Sequence, residues 1–396
     1  MARMTRRMTL ASGLALPFAA RLAQAAGAPI PVGTLTPQTG AGGPYGPPMA
    51  KTAKAAVAAI NAAGGVLGRP IALLQEDDET NPDAGVRAAR KLIDVNRVVA
   101  VLGTWASAVT TAVAPLCWES QTMLFTVSGA DSITRLPHQG YIVRTQPNTQ
   151  LQSLRAAQYL LQAGSKRVFG LSAQTPFAVD SWNRLASVLK GGGAEGVGDV
   201  IYDAGKTSFR SEIDQALRAK PDTLFLNGYA PDVGVILREL YQAGYAGRKF
   251  TFGYAVSPKM LAGLPAVVTE GLVAFSPSPD VGSPAYQRVQ AILGSANPDP
   301  YSCQVYDHVN LVALAMAKAG AASGVAIHDA VRLVSQGAGQ VVYDAVDGMK
   351  LLAAGKSVNY DGASGPCDLL ASGDIAASKF RFDRVEKGKL TLLSIS

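Results

Sequence analysis

Few residue types in this chain are spaced for chemistry. The run Glu76-Asp77-Asp78-Glu79 puts four carboxylates side by side, and paired carboxylates can share acid and base roles or hold a metal. These four follow a strand and enter a loop, so they read as a solvated face. The three histidines, His138, His308 and His328, are far apart. No H-E-x-x-H, G-x-S-x-G elbow or glycine-rich Lys-Ser/Thr loop accompanies them. Gly191, Gly193 and Gly196 match G-x-G-x-x-G. A dinucleotide site needs that pattern between a strand and a following helix, whereas here it ends a helix and enters a strand, as a plain loop would. Cys117, Cys303 and Cys367 lack the close pairing of a zinc site. Cys117 sits in an apolar helical patch and reads as a buried free thiol, while Cys303 and Cys367 both follow turn-rich stretches and are candidates for one disulfide. Ser107 remains, in a strand-to-helix turn, where an α/β sheet presents hydroxyls and free amides to a ligand; its bland alternative is an N-cap. No metal and no cofactor is expected.

The elements that would hold these residues alternate regularly. Hydrophobic runs over 30–35, 71–75, 98–103 and 123–127 read as strands, separated by helical periods over 49–63, 82–96 and 106–118. A second series follows, with strands over 167–172, 197–202, 223–227, 249–253 and 271–276 and helices over 149–163, 177–190, 209–219 and 232–243. Strands joined by helices of this length pair in parallel through right-handed crossovers. Helices over 285–293, 306–319, 328–335 and 343–354 come next, then strands over 378–383 and 389–395. The expected fold is therefore α/β, with two doubly wound parallel-sheet lobes of similar size. The chain crosses between them near residue 147 and returns near 277–279, and more than one crossing implies a hinge. The expected division is 26–147 with 279–376 for one lobe and 148–278 with 377–396 for the other.

The N-terminus reads as an export signal over 1–25. Arg3, Arg6 and Arg7 precede a modest apolar stretch, and Ala23-Gln24-Ala25 forms an A-x-A cleavage pattern. The stretch is too short and too interrupted for a membrane span, and residues 5–10 resemble a twin-arginine export signal. The full chain carries 36 basic and 29 acidic residues, a net charge of +7. Removing the signal takes away four arginines, so 36 − 4 − 29 leaves +3. The remaining basic residues are scattered, which gives no footprint for nucleic acid. An exported α/β protein without catalytic machinery is suited to capturing a solute.

Four segments, taken in order, resemble the branched-chain amino-acid (leucine/isoleucine/valine) binding family of ABC-importer solute receptors, with the type I periplasmic binding fold. They are Thr36-Pro37-Gln38-Thr39-Gly40 with Tyr45-Gly46; Ile60-Asn61-Ala62-Ala63-Gly64-Gly65-Val66; the acidic strand end followed by Asn81-Pro82; and Tyr360-Asp361-Gly362-Ala363-Ser364-Gly365-Pro366. The resemblance covers nearly the whole chain after the signal. It implies a monomeric periplasmic receptor, not an enzyme, that closes on a small molecule by hinge motion and delivers it to a permease in the inner membrane.

In that family a ligand carboxylate meets a serine and helix-start amides of the first lobe while second-lobe aromatics close over it. Carried over, this implies contacts from Tyr45, Trp105, Ala106, Ser107, Gly129, Asp131, Phe177, Tyr229 and Tyr254. Amino-acid binders of the family also use a second-lobe acid for the ligand ammonium, but here that stretch reads Phe252-Gly253-Tyr254-Ala255-Val256. Asp131 could supply the missing charge for an amine- or amide-bearing ligand; if it faces elsewhere, an aromatic carboxylate or another acid with an uncharged tail is expected. Two alternatives stand beside transport: a sensor subunit with the same fold, and a secreted hydrolase using Ser107 or the acid cluster.

Overall fold

The computed structural model describes residues 27–396; the expected export signal lies outside the described residues. Five parallel strands form the first sheet: β1 (Ile30–Thr36), β2 (Ile71–Asp77), β3 (Ala100–Thr104), β4 (Met123–Thr126) and β5 (Ile142–Arg144), in the order β2-β1-β3-β4-β5. Every residue of β3 is buried, as expected for a strand covered by helices on both faces. The helix Pro300–Ala319, buried continuously from Tyr301 to Met316, packs against β3 and the helices Gly46–Ala62 and Gly324–Ser335.

The second sheet begins with five parallel strands: β6 (Arg167–Ala173), β7 (Glu195–Tyr202), β8 (Thr223–Asn227), β9 (Arg248–Phe252) and β10 (Val273–Pro277). The chain then returns to the first lobe. There it forms the helices Pro284–Leu293, Pro300–Ala319, Gly324–Ser335 and Ala345–Ala353, with a parallel ribbon of β11 (Gln340–Val342) and β12 (Val358–Tyr360). It finally re-enters the second sheet as the hairpin β13 (Phe380–Glu386) and β14 (Lys389–Ile395). β13 is antiparallel to β10, giving the order β14-β13-β10-β9-β8-β6-β7. Lys387 and Gly388 both have positive φ, the backbone a two-residue hairpin turn requires. The sheets are thus unequal, five strands against seven, because the C-terminal hairpin extends only one.

Three connections join the lobes: β5 to the helix Thr149–Gln162, β10 to the helix Pro284–Leu293, and the segment from Ile375 to β13. At the first, Arg144 is completely buried. Its Nε donates to Asp374 at 2.6 Å and its guanidinium also reaches the carbonyl of Ala130 at 2.7 Å and the hydroxyl of Thr134 at 3.0 Å. One side chain therefore ties the end of β5, the loop after β4 and the third crossing together.

The expected disulfide is corrected. Cys303 and Cys367 are both free and buried. Cys303 does not follow a turn: Asp299 caps the helix Pro300–Ala319, accepting from the Ser302 amide at 2.9 Å, and Cys303 lies in its first turn. The Cys367 Sγ instead reaches the carbonyl of Gly365 at 3.5 Å. Cys117 is a buried free thiol, and burial pushes its pKa up to about 12. β5, β11 and β12 were not anticipated; each has three residues, too short for a period-two pattern.

Candidate functional site: an aromatic cleft between the lobes

The cleft is built at the C-terminal ends of the parallel strands of both sheets. On the first-lobe side β3 ends at Thr104, and Trp105 and Ala106 turn the chain into the helix Ser107–Glu119. Ala106 occupies the cap position and offers no side-chain bond to the first amides, so these point outward carrying the partial positive charge of a helix N-terminus. Ser107 is the first helical residue rather than the N-cap. Its Oγ accepts from the Ala130 amide at 3.2 Å, leaving the hydroxyl proton for another acceptor. Buried hydroxyls fix this wall from behind: Ser128 Oγ donates to the Trp105 carbonyl at 2.8 Å and lies 2.6 Å from Thr110 Oγ1.

The second-lobe wall is aromatic. Phe177 lies in the first turn of the helix Pro176–Gly191, Tyr229 caps the helix Ala230–Gln242, and Tyr254 follows β9 in a short 3-10 turn. The two walls meet: Trp105 stands 5.6 Å from the ring of Tyr229 and 5.9 Å from that of Tyr254, and the Tyr45 hydroxyl donates to the Tyr254 carbonyl at 3.2 Å. Gly129 is where a Cβ would not fit, since one built there would lie 2.5 Å from the Phe177 ring. Burial holds the phenols of Tyr45, Tyr229 and Tyr254 above their ordinary pKa, Tyr229 at about 12, so they are neutral hydrogen-bonding groups at physiological pH.

Seven of the nine expected contact residues line this cavity: Trp105, Ala106, Ser107, Gly129, Phe177, Tyr229 and Tyr254. Tyr45 stands behind it, stacked on Trp105 at 5.5 Å. Asp131 is not brought to the cavity wall; its carboxylate accepts from the Gln150 amide at 3.2 Å and from Arg184 Nε at 3.3 Å. The remaining lining residues include Gln146, Gln152, Thr175, Phe252, Ser276 and Tyr301. Tyr301 was missed because 298–302 reads as a turn, although Asp-Pro followed by Ser302 is a helix-start signature. No acidic, basic or histidine side chain is in the lining.

The other chemistry-bearing residues lie elsewhere. The acid cluster is a solvated face only in part: Glu79 is exposed, whereas the other three are bonded, paired or buried. Asp77 fastens the loop after β1, accepting from the amides of Gln38 and Glu79 and the hydroxyl of Thr39; burial pushes its pKa up, but these bonds outweigh it and hold the carboxyl below its ordinary range. Asp78 is completely buried; Glu76 pairs with Lys91 at 2.7 Å. His308 Nε2 is bonded to Thr145 at 2.9 Å, and burial lowers its pKa to about 3. Neither an imidazole nor a carboxylate is bonded to Ser107 among the described residues. No group of three His, Cys, Asp or Glu side chains there could hold a metal ion.

Comparison with known proteins agrees with this architecture. The chain belongs to the periplasmic binding protein family, whose model matches residues 29–389. It is 27% identical to the chemotactic signal transduction system substrate-binding protein BasB of Halobacterium salinarum, over 88% of this chain and 85% of the relative. The crystal structure of a leucine binding protein from Thermotoga maritima superimposes with a TM-score of 0.79 at 20% identity, covering 92% of this chain and 98% of that one. A solute binding protein of an ABC transporter from R. palustris, solved in complex with benzoate, gives a TM-score of 0.76 at 19% identity, with coverages of 93% and 96%. The fold is that of the type I periplasmic binding proteins, as the sequence motifs implied.

Proposed function

We propose that this chain is the solute-binding component of an ABC importer, and that it takes a small carboxylic acid with an aromatic or apolar body and no ammonium group. The observation that carries this reading is a cavity of neutral donors and aromatic rings, without a carboxylate in its lining. A ligand carboxylate would meet Ser107 Oγ and the free amides of the following helix, where a partial positive charge and directed N–H groups favour an anion. An ammonium would be desolvated without a counter-ion, a cost of several kcal/mol (~2–7 for a polar group with no partner, more for a charge).

The cavity volume is about 40 Å³, whereas an apolar site that binds benzene measures about 150 Å³. Entry of a ring therefore requires the rings of the two walls to part. In this reading 26–147 with 279–376 and 148–278 with 377–396 move as hinged lobes, and the ligand shifts the open-closed equilibrium because second-lobe contacts form only on closure. The proposal includes export to the periplasm as a monomer, by the twin-arginine route, and hand-over of the closed form to an inner-membrane permease.

Thermal-shift titration tests the solute class. Benzoate is expected to raise the melting temperature and leucine to leave it unchanged; stabilisation by leucine alone overturns the reading. Ser107→Ala is expected to weaken benzoate binding about tenfold, with the ligand recovered unaltered, whereas a hydrolase would release product and lose turnover. BasB, described as part of a chemotactic signal transduction system, motivates a sensory role as the second reading. Loss of uptake of the identified solute in a deletion strain marks transport; loss of taxis with uptake intact marks sensing.

A further inference from the structure

Tyr45 is expected at the ligand from the sequence, yet it stands behind Trp105 and outside the cavity lining. Its backbone is fixed to the first lobe: the Tyr45 amide donates to the Gly42 carbonyl at 2.9 Å, and its own carbonyl accepts from the Met49 amide at 3.2 Å. At Gly46 a Cβ would overlap the Pro37 carbonyl, so the helix Gly46–Ala62 starts pressed against the chain leaving β1. The ring is held as firmly, stacked on Trp105 at 5.5 Å and edge-on to Tyr301 at 5.2 Å. From this seat the hydroxyl reaches the second lobe and donates to the Tyr254 carbonyl at 3.2 Å. The two residues are 209 positions apart, and neither lies in a segment that crosses between the lobes. The Tyr254 carbonyl sits in a three-residue 3-10 turn too short to satisfy it, and it accepts from no other group among the described residues. The Tyr254 ring, in contrast, lines the cavity. One hydrogen bond thus fastens the backbone that carries a cavity-lining ring of one lobe to a phenol of the other, and that phenol is not in the lining.

We infer that Tyr45 is a positioning residue for closure: its hydroxyl latches the second lobe to the first and adds the same increment to the affinity of any solute. When the lobes part, phenol and carbonyl both turn to water, so the bond counts only in the closed form and acts on the open-closed equilibrium. The inference rests on the hinge motion proposed above and not on the solute class. It separates Tyr45 from Trp105, whose ring lines the cavity and whose contribution varies with what it touches.

Tyr45→Phe keeps both ring contacts and removes only the hydroxyl, which leaves the Tyr254 carbonyl without its partner in the closed form. Calorimetry and stopped-flow kinetics compare the wild type and this variant with benzoate, phenylacetate, leucine and isoleucine. Every compound that binds the wild type is expected to bind the variant about fivefold or more weakly, by a factor common to all of them within about twofold. The change is expected in the dissociation rate, with association altered by less than about twofold, whereas a packing defect in the empty cleft would slow association. Unchanged affinity, losses that differ between compounds by more than about twofold, or a loss carried by association overturns the latch. Binding by the two amino acids alone overturns the solute class, and the latch is then decided by the same factor measured on them. If none of the four compounds binds, the reading as a receptor for small acids falls and this inference with it.

Discussion

The two walls of the cleft are made in different ways. Beside the rings of Trp105 and Tyr301, the first-lobe wall presents backbone: a helix start with free amides, the loop after β4, and a carbonyl held by Ser128, fixed from behind by Arg144, Asp374 and a set of buried hydroxyls. The second-lobe wall is side chain: Phe177, Tyr229 and Tyr254, each projecting from the first residues after a strand. A backbone wall cannot change its chemistry without changing its fold, so it suits the constant part of a ligand, which the proposed function takes to be a carboxylate. A side-chain wall can be rewritten residue by residue, and here it holds rings and no acid.

The largest effect should come from dismantling the support of the first wall. Arg144→Met leaves Asp374 without its ion pair and frees the Ala130 carbonyl, with an expected loss of about 3–5 kcal/mol in chemical denaturation. A loss below about 1 kcal/mol would show that the backbone wall stands without this buried pair. Trp105→Ala removes the ring on which Tyr45, Tyr229 and Tyr254 converge and should weaken ligand binding by about 2 kcal/mol or more, read by calorimetry. If affinity is unchanged, closure does not depend on contact between the walls.

A smaller effect concerns the buried end of β2. Burial raises the Asp78 carboxyl from 3.8 to about 7. The native state then holds this proton more tightly than the unfolded chain, so its contribution is full below 3.8 and is lost as pH rises to about 7. Asp78→Asn is expected to flatten that part of the stability-pH curve and to stabilise the protein at pH 8 by about 1–2 kcal/mol; a steeper curve would contradict burial as the cause. The smallest effect is expected from Asp131→Asn, which should alter benzoate affinity less than about twofold. A larger change would bring this carboxylate into the site and restore an amine-bearing ligand.

Much of the fold was legible because its signals are local. Period-3.6 helices alternating with short apolar runs identify a parallel α/β sheet, and the helices expected over 82–96 and 149–163 do start there, with Asn81 accepting from the amides of Asp83 and Ala84 and Asn148 from that of Leu151. The site was legible in part for the same reason: Trp105, Ser107, Phe177, Tyr229 and Tyr254 all sit at strand-to-helix turns, where doubly wound sheets bind ligands. Tyr301 was not legible, because 298–302 reads as a turn, whereas it opens a helix 20 residues long that carries this ring to the cleft. Asp78 gave no sign of burial, because four adjacent acids have the composition of a solvated loop.

The sequence by itself determined the alternating elements, the two-lobed class and the absence of an acid from the stretch 252–256, all properties of residues close together along the chain. Only the tertiary structure decided that Asp131 turns to Arg184 rather than the cavity, that Cys303 and Cys367 remain separate thiols, and that Gln304 donates to Gln146. Those outcomes depend on which segments share a strand end or a helix face across more than a hundred residues of chain, and a residue's neighbours at that separation are set by packing rather than by its own type.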